Sequence, residues 1–429
     1  MVRSFSPNAR RYLAFTALNA VSWSASNLTF NLYLHSLGYQ QGFIGWLNGL
    51  PSLVVLCCGL PIGIVASRVG YRRFMVIGSF LGAVAALGLG LGSARPALVC
   101  FSLIGGLAMA LSWVVGAPMM MAISTKDERV FLFSVQQAVM MGSGFVGSLL
   151  AGFVPELAAG VLGVDSASTI PLRLTYLVGA SFNLLAIIPI VGMSQVKGNS
   201  GVAPEAWFRS LPSSRRELGL FARILGPSAL ISFGAGAMVV FFQLFFRLGF
   251  GLSPGSMGVL FAWSSVVTAV ATLASPILAG RLGKVRTIVV TQLISIPFLL
   301  LLAYSRNLPA VIVAYYFRQA LMNMSGPLQT TFGLELVREG QRATLTSLQA
   351  MLGSLGRGGL GPIVSGYLQE RSGGGFTLAF TMTTVCYVVG TSLFFLFFRG
   401  FEPRPSPTGR ATPNKLLPPG VAGRAAGPG

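Results

Sequence analysis

The sequence predicts an all-α polytopic membrane protein with twelve transmembrane helices in two pseudo-symmetric six-helix bundles. Three observations predict it: a composition too poor in charge to face water, twelve apolar runs of spanning length, and a repeat that relates the two halves. The 429 residues are 53% hydrophobic and 9% charged, whereas a soluble domain carries about 25% charged residues. Such a chain can cover a lipid-facing surface, where apolar side chains need no water. Its charges are 30 Lys and Arg against 10 Asp and Glu. A net charge of +20 is compatible with nucleic acid, but the basic residues sit in short clusters between uncharged stretches, as topology signals do.

A spanning helix needs about 20 mostly apolar residues. Cutting the chain at charges, prolines and glycine turns gives spans at 12–34, 43–66, 74–94, 97–123, 130–155 and 172–194, then 222–246, 256–280, 287–305, 308–334, 343–369 and 376–398. The apolar run after Arg10 and Arg11 lacks a small-residue cleavage site and reads as a retained first span. The first bundle is expected over 12–194 and the second over 222–399. Between them lies a polar linker, 195–221, and after them a Pro-, Gly- and Arg-rich tail, 400–429, of a composition that favours disorder. With residues 1–11 placed in the cytoplasm, 23 of the 30 Lys and Arg fall on that side. Five fall on the other, Arg95, Arg173, Arg247, Arg306 and Arg371, and Arg318 and Arg357 lie within spans. The bias predicts both termini in the cytoplasm. Alanine, glycine and arginine usage with short loops fits a bacterial inner membrane.

The halves repeat at one offset. Arg68 and Arg281 are 213 residues apart, as are Gly70 and Gly283, Gly45 and Gly258, Arg129 and Arg342, Ser134 and Ser347, and Gln136 and Gln349. Each pair holds the same place relative to the spans. Six spans per half make the halves parallel in the bilayer, and a site is expected where they meet.

The segment Gly63-Ile-Val-Ala-Ser67-Arg68-Val-Gly70-Tyr-Arg72-Arg73 resembles the loop 2–3 signature of the major facilitator superfamily, G-x-x-x-D-R-x-G-R-[KR]. Pro276 to Arg286, with Arg281 and Gly283, resembles its weaker copy in loop 8–9. Gln341-Arg342-Ala343-Thr344 with Ser347, Gly353 and Gly361-Pro362 is similar to the start of that family's helix eleven. The resemblance implies the family fold and alternating access between two bundles, with these segments as gating motifs. One departure stands out: the signature's Asp, which in the family helps lock the cytoplasmic side, is Ser67 here and Gly280 in the copy. Arg68, Arg72 and Arg73 then act on helix ends or lipid phosphates, or serve only as topology anchors.

Mid-membrane polar residues are the candidates for chemistry. Arg318 follows Tyr315-Tyr316-Phe317, and Arg357 sits in a glycine-rich run. A mid-membrane arginine costs about 2.5–3.5 kcal/mol on insertion scales, so each needs a partner or a wet cavity. Each either binds solute or holds helices through backbone carbonyls. Asn19, Trp23, Asn27 and Asn31 recur every four residues and share one broad, inward face of span one. The resemblance places helices one, four, seven and ten around the cavity, so Trp113, Gln243 and Arg318 would join that row. Tyr315 would add stacking, and Gln136 and Gln349 are repeat-related polar candidates. Interhelical hydrogen bonding without a ligand remains the alternative for the row. Met119 to Met121, Met140 and Met141 pack or form an adaptable wall.

All ten acidic residues map to loops or span ends, which argues against proton relay by a buried carboxylate. The four cysteines, Cys57, Cys58, Cys100 and Cys386, have no metal-ligand spacing, and His35 is the single histidine. No nucleotide, zinc or triad motif occurs, so neither an enzyme nor a cofactor is expected. The reading is a secondary transporter for a small organic solute, anionic if the two arginines serve it, working in the bilayer as a monomer and without nucleic acid. Efflux of amphipathic compounds is the alternative, and a non-transporting receptor or sensor the third.

Overall fold

In bilayer hydrocarbon every backbone N–H and C=O must find a partner within the protein, which leaves helices as the economical solution for these apolar runs. The computed structural model describes residues 5–194, 214–373 and 375–401, and among them there is no strand. Twelve helical segments follow in order: α1 Pro7–Ser36, α2 Gln41–Val69, α3 Tyr71–Leu91, α4 Arg95–Ile123, α5 Lys126–Leu162 and α6 Thr169–Leu185, extended by Ile187–Val191. The second six are α7 Arg215–Val239, resuming as Phe242–Phe250, α8 Pro254–Leu282, α9 Lys284–Tyr304, α10 Leu308–Leu336, α11 and α12 Thr377–Phe398. Helix α11 is composite: Arg342–Ser354, a π turn at Leu355–Leu360, and Gly361–Arg371. Most of the polar interval 195–221 and the tail beyond 401 lie outside the described residues, but α7 already begins at Arg215. Helix α5 runs a full turn or more past both expected ends.

Polar caps start the helices. Ser6, Ser214 and Asn307 accept from the backbone N–H of Ala9, Glu217 and Ala310, each at 3.2 Å. Nine stretches among the described residues are both long and apolar enough to cross a membrane. The long helices outside that set are α1, α10 and the composite α11. Their lower hydropathy comes from asparagine, glutamine, serine, glycine and arginine, which need an interior rather than lipid.

The 213-residue repeat is visible in three dimensions. Gly70 and Gly283 both have positive φ, 114° and 88°, and each closes its helix on the carbonyl 4 residues back, Ala66 and Ala279. Helix pairs recur in the same way. In the first bundle α1 packs on α5 and α6, α3 on α4 and α6, and α2 on α4; in the second, α7 packs on α11 and α12, α9 on α10 and α12, and α8 on α10.

The bundles meet along two symmetry-related seams, α5 with α8 and α2 with α11. Both are lined by glycine, which lets backbones touch. A Cβ on Gly152 would lie 2.8 Å from Gly258 Cα, and one on Gly258 would lie 2.7 Å from Ser148 O. On the other seam Gly45 rests on Pro362 and Gly366, and Gly49 rests on Ile363. Glycines of α11 also seat that helix on α7: a Cβ on Gly236 would lie 2.6 Å from Gly356 O. Much of the tightest contact, at Gly45, Gly152 and Gly258, lies toward the ends farthest from the N-terminus. At the N-terminal end the ion pairs Lys284–Glu335 and Arg338–Glu217 stay within the second bundle. There Arg11 and Arg72 donate to Gly192 and Val191 within the first. The described contacts between the bundles are thus tightest toward the distal end.

Gly236→Ala is expected to overpack the α7–α11 contact and cost about 1–3 kcal/mol, read as a lower melting temperature in detergent. A melting temperature equal to that of the unmodified protein would show that the contact relaxes freely.

Candidate functional site

A cavity of about 290 Å³ lies between the bundles, lined by Ser24 of α1, Met140, Met141 and Gly144 of α5, Ser264, Ser265 and Thr268 of α8, and Gln319 and Asn323 of α10. Both bundles contribute, and none of these lining side chains is charged. A larger groove of about 650 Å³ is lined by Val154, Leu157, Val161, Leu174 and other apolar side chains on the outer face of α5 and α6, a surface suited to lipid.

The α1 row divides by height. Asn19 turns to α6, where its Nδ2 donates to Asn183 Oδ1 at 3.4 Å. Trp23 is 48% exposed and packs on Trp113 of α4, itself 58% exposed, with ring centroids 5.8 Å apart. Asn27 and Asn31 reach the second bundle. Gln243 Nε2 donates to Asn27 O at 2.7 Å and to its Oδ1 at 3.3 Å. Asn31 Nδ2 donates to Val240 O, and Asn31 Oδ1 accepts from Asn48 at 2.7 Å. Val240 lies where α7 breaks, between Val239 and Phe242. An interrupted helix frees carbonyls that must be satisfied elsewhere, and Asn31 supplies that donor. Thus Asn19 docks α6 within the first bundle, Trp23 is exposed beside Trp113, and the upper part of the row docks the two bundles. Gln243 Oε1 is buried without a partner among the described residues.

Arg318 is buried, at 2% exposure, within the second bundle. Its Nη2 donates to Tyr387 Oη of α12 at 2.6 Å and its Nη1 to Gln319 Oε1. The guanidinium lies 5.6 Å from the Phe242 ring and 5.7 Å from the Tyr387 ring, a geometry that attracts a cation to the π face. Its described partners are neutral, and Nε has none. Tyr315 is buried in an aromatic cluster with Phe242, Phe246 and Phe261, at centroid distances of 5.0, 5.5 and 5.7 Å. Arg357 is exposed, within the π turn. Gln136 Nε2 sits 3.0 Å from Met140 Sδ. Gln349 is half-buried, with Nε2 3.4 Å from the position of a Cβ on Gly333. Arg318 therefore reaches the cavity through Gln319, and Tyr315 stands behind Ser264 and Gln319 of its lining, while Gln349 and Arg357 occupy other places.

Sequence reasoning missed Ser264, Ser265, Thr268 and Asn323 as lining residues. The step of four that marks Asn27 and Asn31 also relates Ser264 to Thr268 and Gln319 to Asn323, so the signal was present on α8 and α10. In the gating motif, Gly63 packs against Val114 and Ser67 Oγ donates to Ile64 O of its own helix at 2.8 Å. Arg68, Arg73 and Arg281 are exposed. A hydroxyl satisfied by its own helix makes no reach across the bundles of the kind the family's Asp makes.

At the distal end Asp165, in the loop before α6, pairs with Arg247 of α7 across the bundles at 2.9 Å. The Ala167 backbone N–H, at 2.8 Å, and then Arg247 hold the Asp165 carboxyl below its ordinary value, against the opposing effect of partial burial. A depressed carboxylate contributes stability above the ordinary range, and that contribution fades as pH falls through the lowered value. The melting temperature of the protein minus that of Asp165→Asn should therefore be constant above about pH 4 and shrink below it. A difference that grows on acidification would reverse the assignment. Tyr387→Phe should leave the buried guanidinium short of an acceptor and cost about 1–3 kcal/mol, measured by thermal unfolding. An unchanged midpoint would mean that another group takes over the hydroxyl's part.

The sequence pattern of the Major Facilitator Superfamily matches residues 12–359 and 224–425. No curated protein matches significantly in sequence. Among solved structures, a bacterial homologue of the human lysosomal transporter Spinster, in an inward-facing and unoccupied conformation, is similar with a TM-score of 0.76 at 16% identity. That similarity covers 92% of this chain and 98% of the other. A variant of the nucleoside transporter NupG gives 0.76 at 15% identity over 91% and 100%. The human organic anion transporter MFSD10 gives 0.60 at 17% identity over 90% and 99%. At these identities the structures speak for the fold, and the sequence match speaks for the family. The match spans most of the chain, and twelve helical segments in two repeated bundles among the described residues agree with it: the chain belongs to the Major Facilitator Superfamily and is a membrane transporter, not an enzyme.

Proposed function

We propose that the protein is a secondary transporter for a small organic solute rich in hydrogen-bond acceptors, anionic solutes included, which it moves by alternating access. The observation that carries this reading is the cavity itself, built from uncharged side chains of both bundles. A solute held by Ser24 on one side and by Ser264, Thr268, Gln319 and Asn323 on the other would be passed from one face to the other as the bundles rock. Arg318 biases the site toward acceptors. Its guanidinium occupies Gln319 Oε1, so the amide's donor end is the part left for a solute. A charge at the head of a hydrogen-bond chain strengthens the bonds that follow. The solute classes of two similar transporters, nucleosides and organic anions, fit such a site. The positive-inside bias puts the N-terminal end in the cytoplasm, so the cleft would open inward, in a bacterial inner membrane. Both walls of the cavity come from one chain, so a monomer suffices.

A second reading, efflux of amphipathic compounds, is favoured by Met140 and Met141 in the cavity wall and by the exposed Trp23–Trp113 pair. Thioethers and indoles adapt to varied apolar shapes.

Thermal shifts of the detergent-purified protein separate the two. A solute at 100 times its dissociation constant should add about 2.7 kcal/mol to native stability. Organic anions should raise the melting temperature of the protein and fail to raise that of Gln319→Ala. Lipophilic compounds that shift both proteins equally, with anions inert, would replace this reading by efflux.

A further inference from the structure

The repeat offset is 213 residues at Gln136 and Gln349, but from the π turn onward it is 214. Gly142, Gly144, Gly147, Gly152 and Glu156 of α5 correspond to Gly356, Gly358, Gly361, Gly366 and Glu370 of α11. A turn closed i to i+5 takes up one residue more than an α turn, and the π turn Leu355–Leu360 lies where the offset changes. The extra residue therefore keeps the distal part of α11 in the rotational register of the distal part of α5. Without it, every residue from Gly361 onward would be turned by about 100°.

That register aims two carboxylates at equivalent targets. Glu156 Oε1 accepts from the backbone N–H of Gly255 at 3.0 Å, and a Cβ on Gly255 would lie 2.9 Å from Glu156 Cγ. Glu370 Oε2 occupies the place that a Cβ on Gly42 would take. Gly42 and Gly255 are themselves 213 apart, and each is the second residue of its helix, α2 or α8. First-turn N–H groups lack intrahelical acceptors and the helix start carries partial positive charge, so a carboxylate is favoured there. The N-cap of α2, Gln40, makes no side-chain cap bond, which leaves that helix start in need of one. Both contacts cross from one bundle to the other at the distal end.

We propose that Glu156 and Glu370 form a duplicated distal latch. Each carboxylate, near the end of α5 or α11, seats on the first turn of the opposite bundle's α8 or α2. Both must leave their seats for the cavity to open distally. They are positioning residues for transport and do not touch solute. Glycine at 42 and 255 is what lets the carboxylates seat, and the π turn is what brings Glu370 into line. The latch rests on the alternating-access reading.

The test times alkylation of Ser24→Cys by a membrane-impermeant maleimide, in a background with Cys57, Cys58, Cys100 and Cys386 replaced, from each face of oriented vesicles. With both glutamates present, labelling should favour the N-terminal face. Glu156→Gln combined with Glu370→Gln should raise the distal rate about tenfold and lower the N-terminal rate, as a shift between two states requires. Gly42→Ala and Gly255→Ala, which place a methyl group in the seats, should shift labelling the same way with both carboxylates intact. A rise of equal size on both faces would mean general loosening and would overturn the latch, as would no change in any variant. Labelling that ignores every variant while solute flux persists defeats the latch alone. Labelling that responds without flux of any solute counts against the transport reading alone.

Discussion

Close backbone approach along two glycine-lined seams is the contact on which the rest of the structure depends. Between helices in lipid there is no hydrophobic drive to associate, so association relies on shape and hydrogen bonds. Gly152 on Gly258, and Gly45 on Pro362 and Gly366, provide the shape. Because the seams are related by the repeat, the same contact is made twice, and the cavity lies between them. A methyl group at any of these glycines would part the bundles, so the distal contact and the cavity are set by one feature.

The cavity's chemistry follows from where the charges are not. Its walls hold hydroxyls, amides and thioethers, while the buried arginine stands behind Gln319 among Phe242 and Tyr387. Placed there, Arg318 avoids both lipid and open water. It ties α10 to α12, and its field still reaches the cavity through the Gln319 amide. One bond, to Tyr387, holds α10 to α12, and the other, to Gln319 on the same helix, orients the amide in the cavity wall.

The breaks in helices fall where the bundles must fit each other. Helix α7 stops at Val239 and resumes at Phe242, and Asn31 of α1 fills the donor gap at Val240. Helix α11 takes in an extra residue through its π turn and so keeps Glu370 facing Gly42. In a membrane such irregular backbone is tolerated where protein, not lipid, surrounds it.

The sequence by itself determined the membrane class, the span order and the two-bundle repeat, because hydropathy, charge bias and spacing are local properties that survive without coordinates, and the segment Gly63 to Arg73 carried the resemblance to the family. It also marked the polar spans, since asparagine and arginine in an apolar run must face inward. It could not say what each inward residue meets. Asn27 and Asn31 dock on α7, Asn19 turns to α6, and Arg318 hides behind Gln319, because a few tens of degrees of helix rotation decide the partner. The lining residues Ser264, Thr268 and Asn323 gave only a weak periodic signal, and serine and threonine can satisfy themselves on their own helix. The change of offset at the π turn passes unnoticed in a fixed-offset comparison. Only the tertiary structure, where one added residue turns half a helix, decided which side chains share a cavity and which hold it shut.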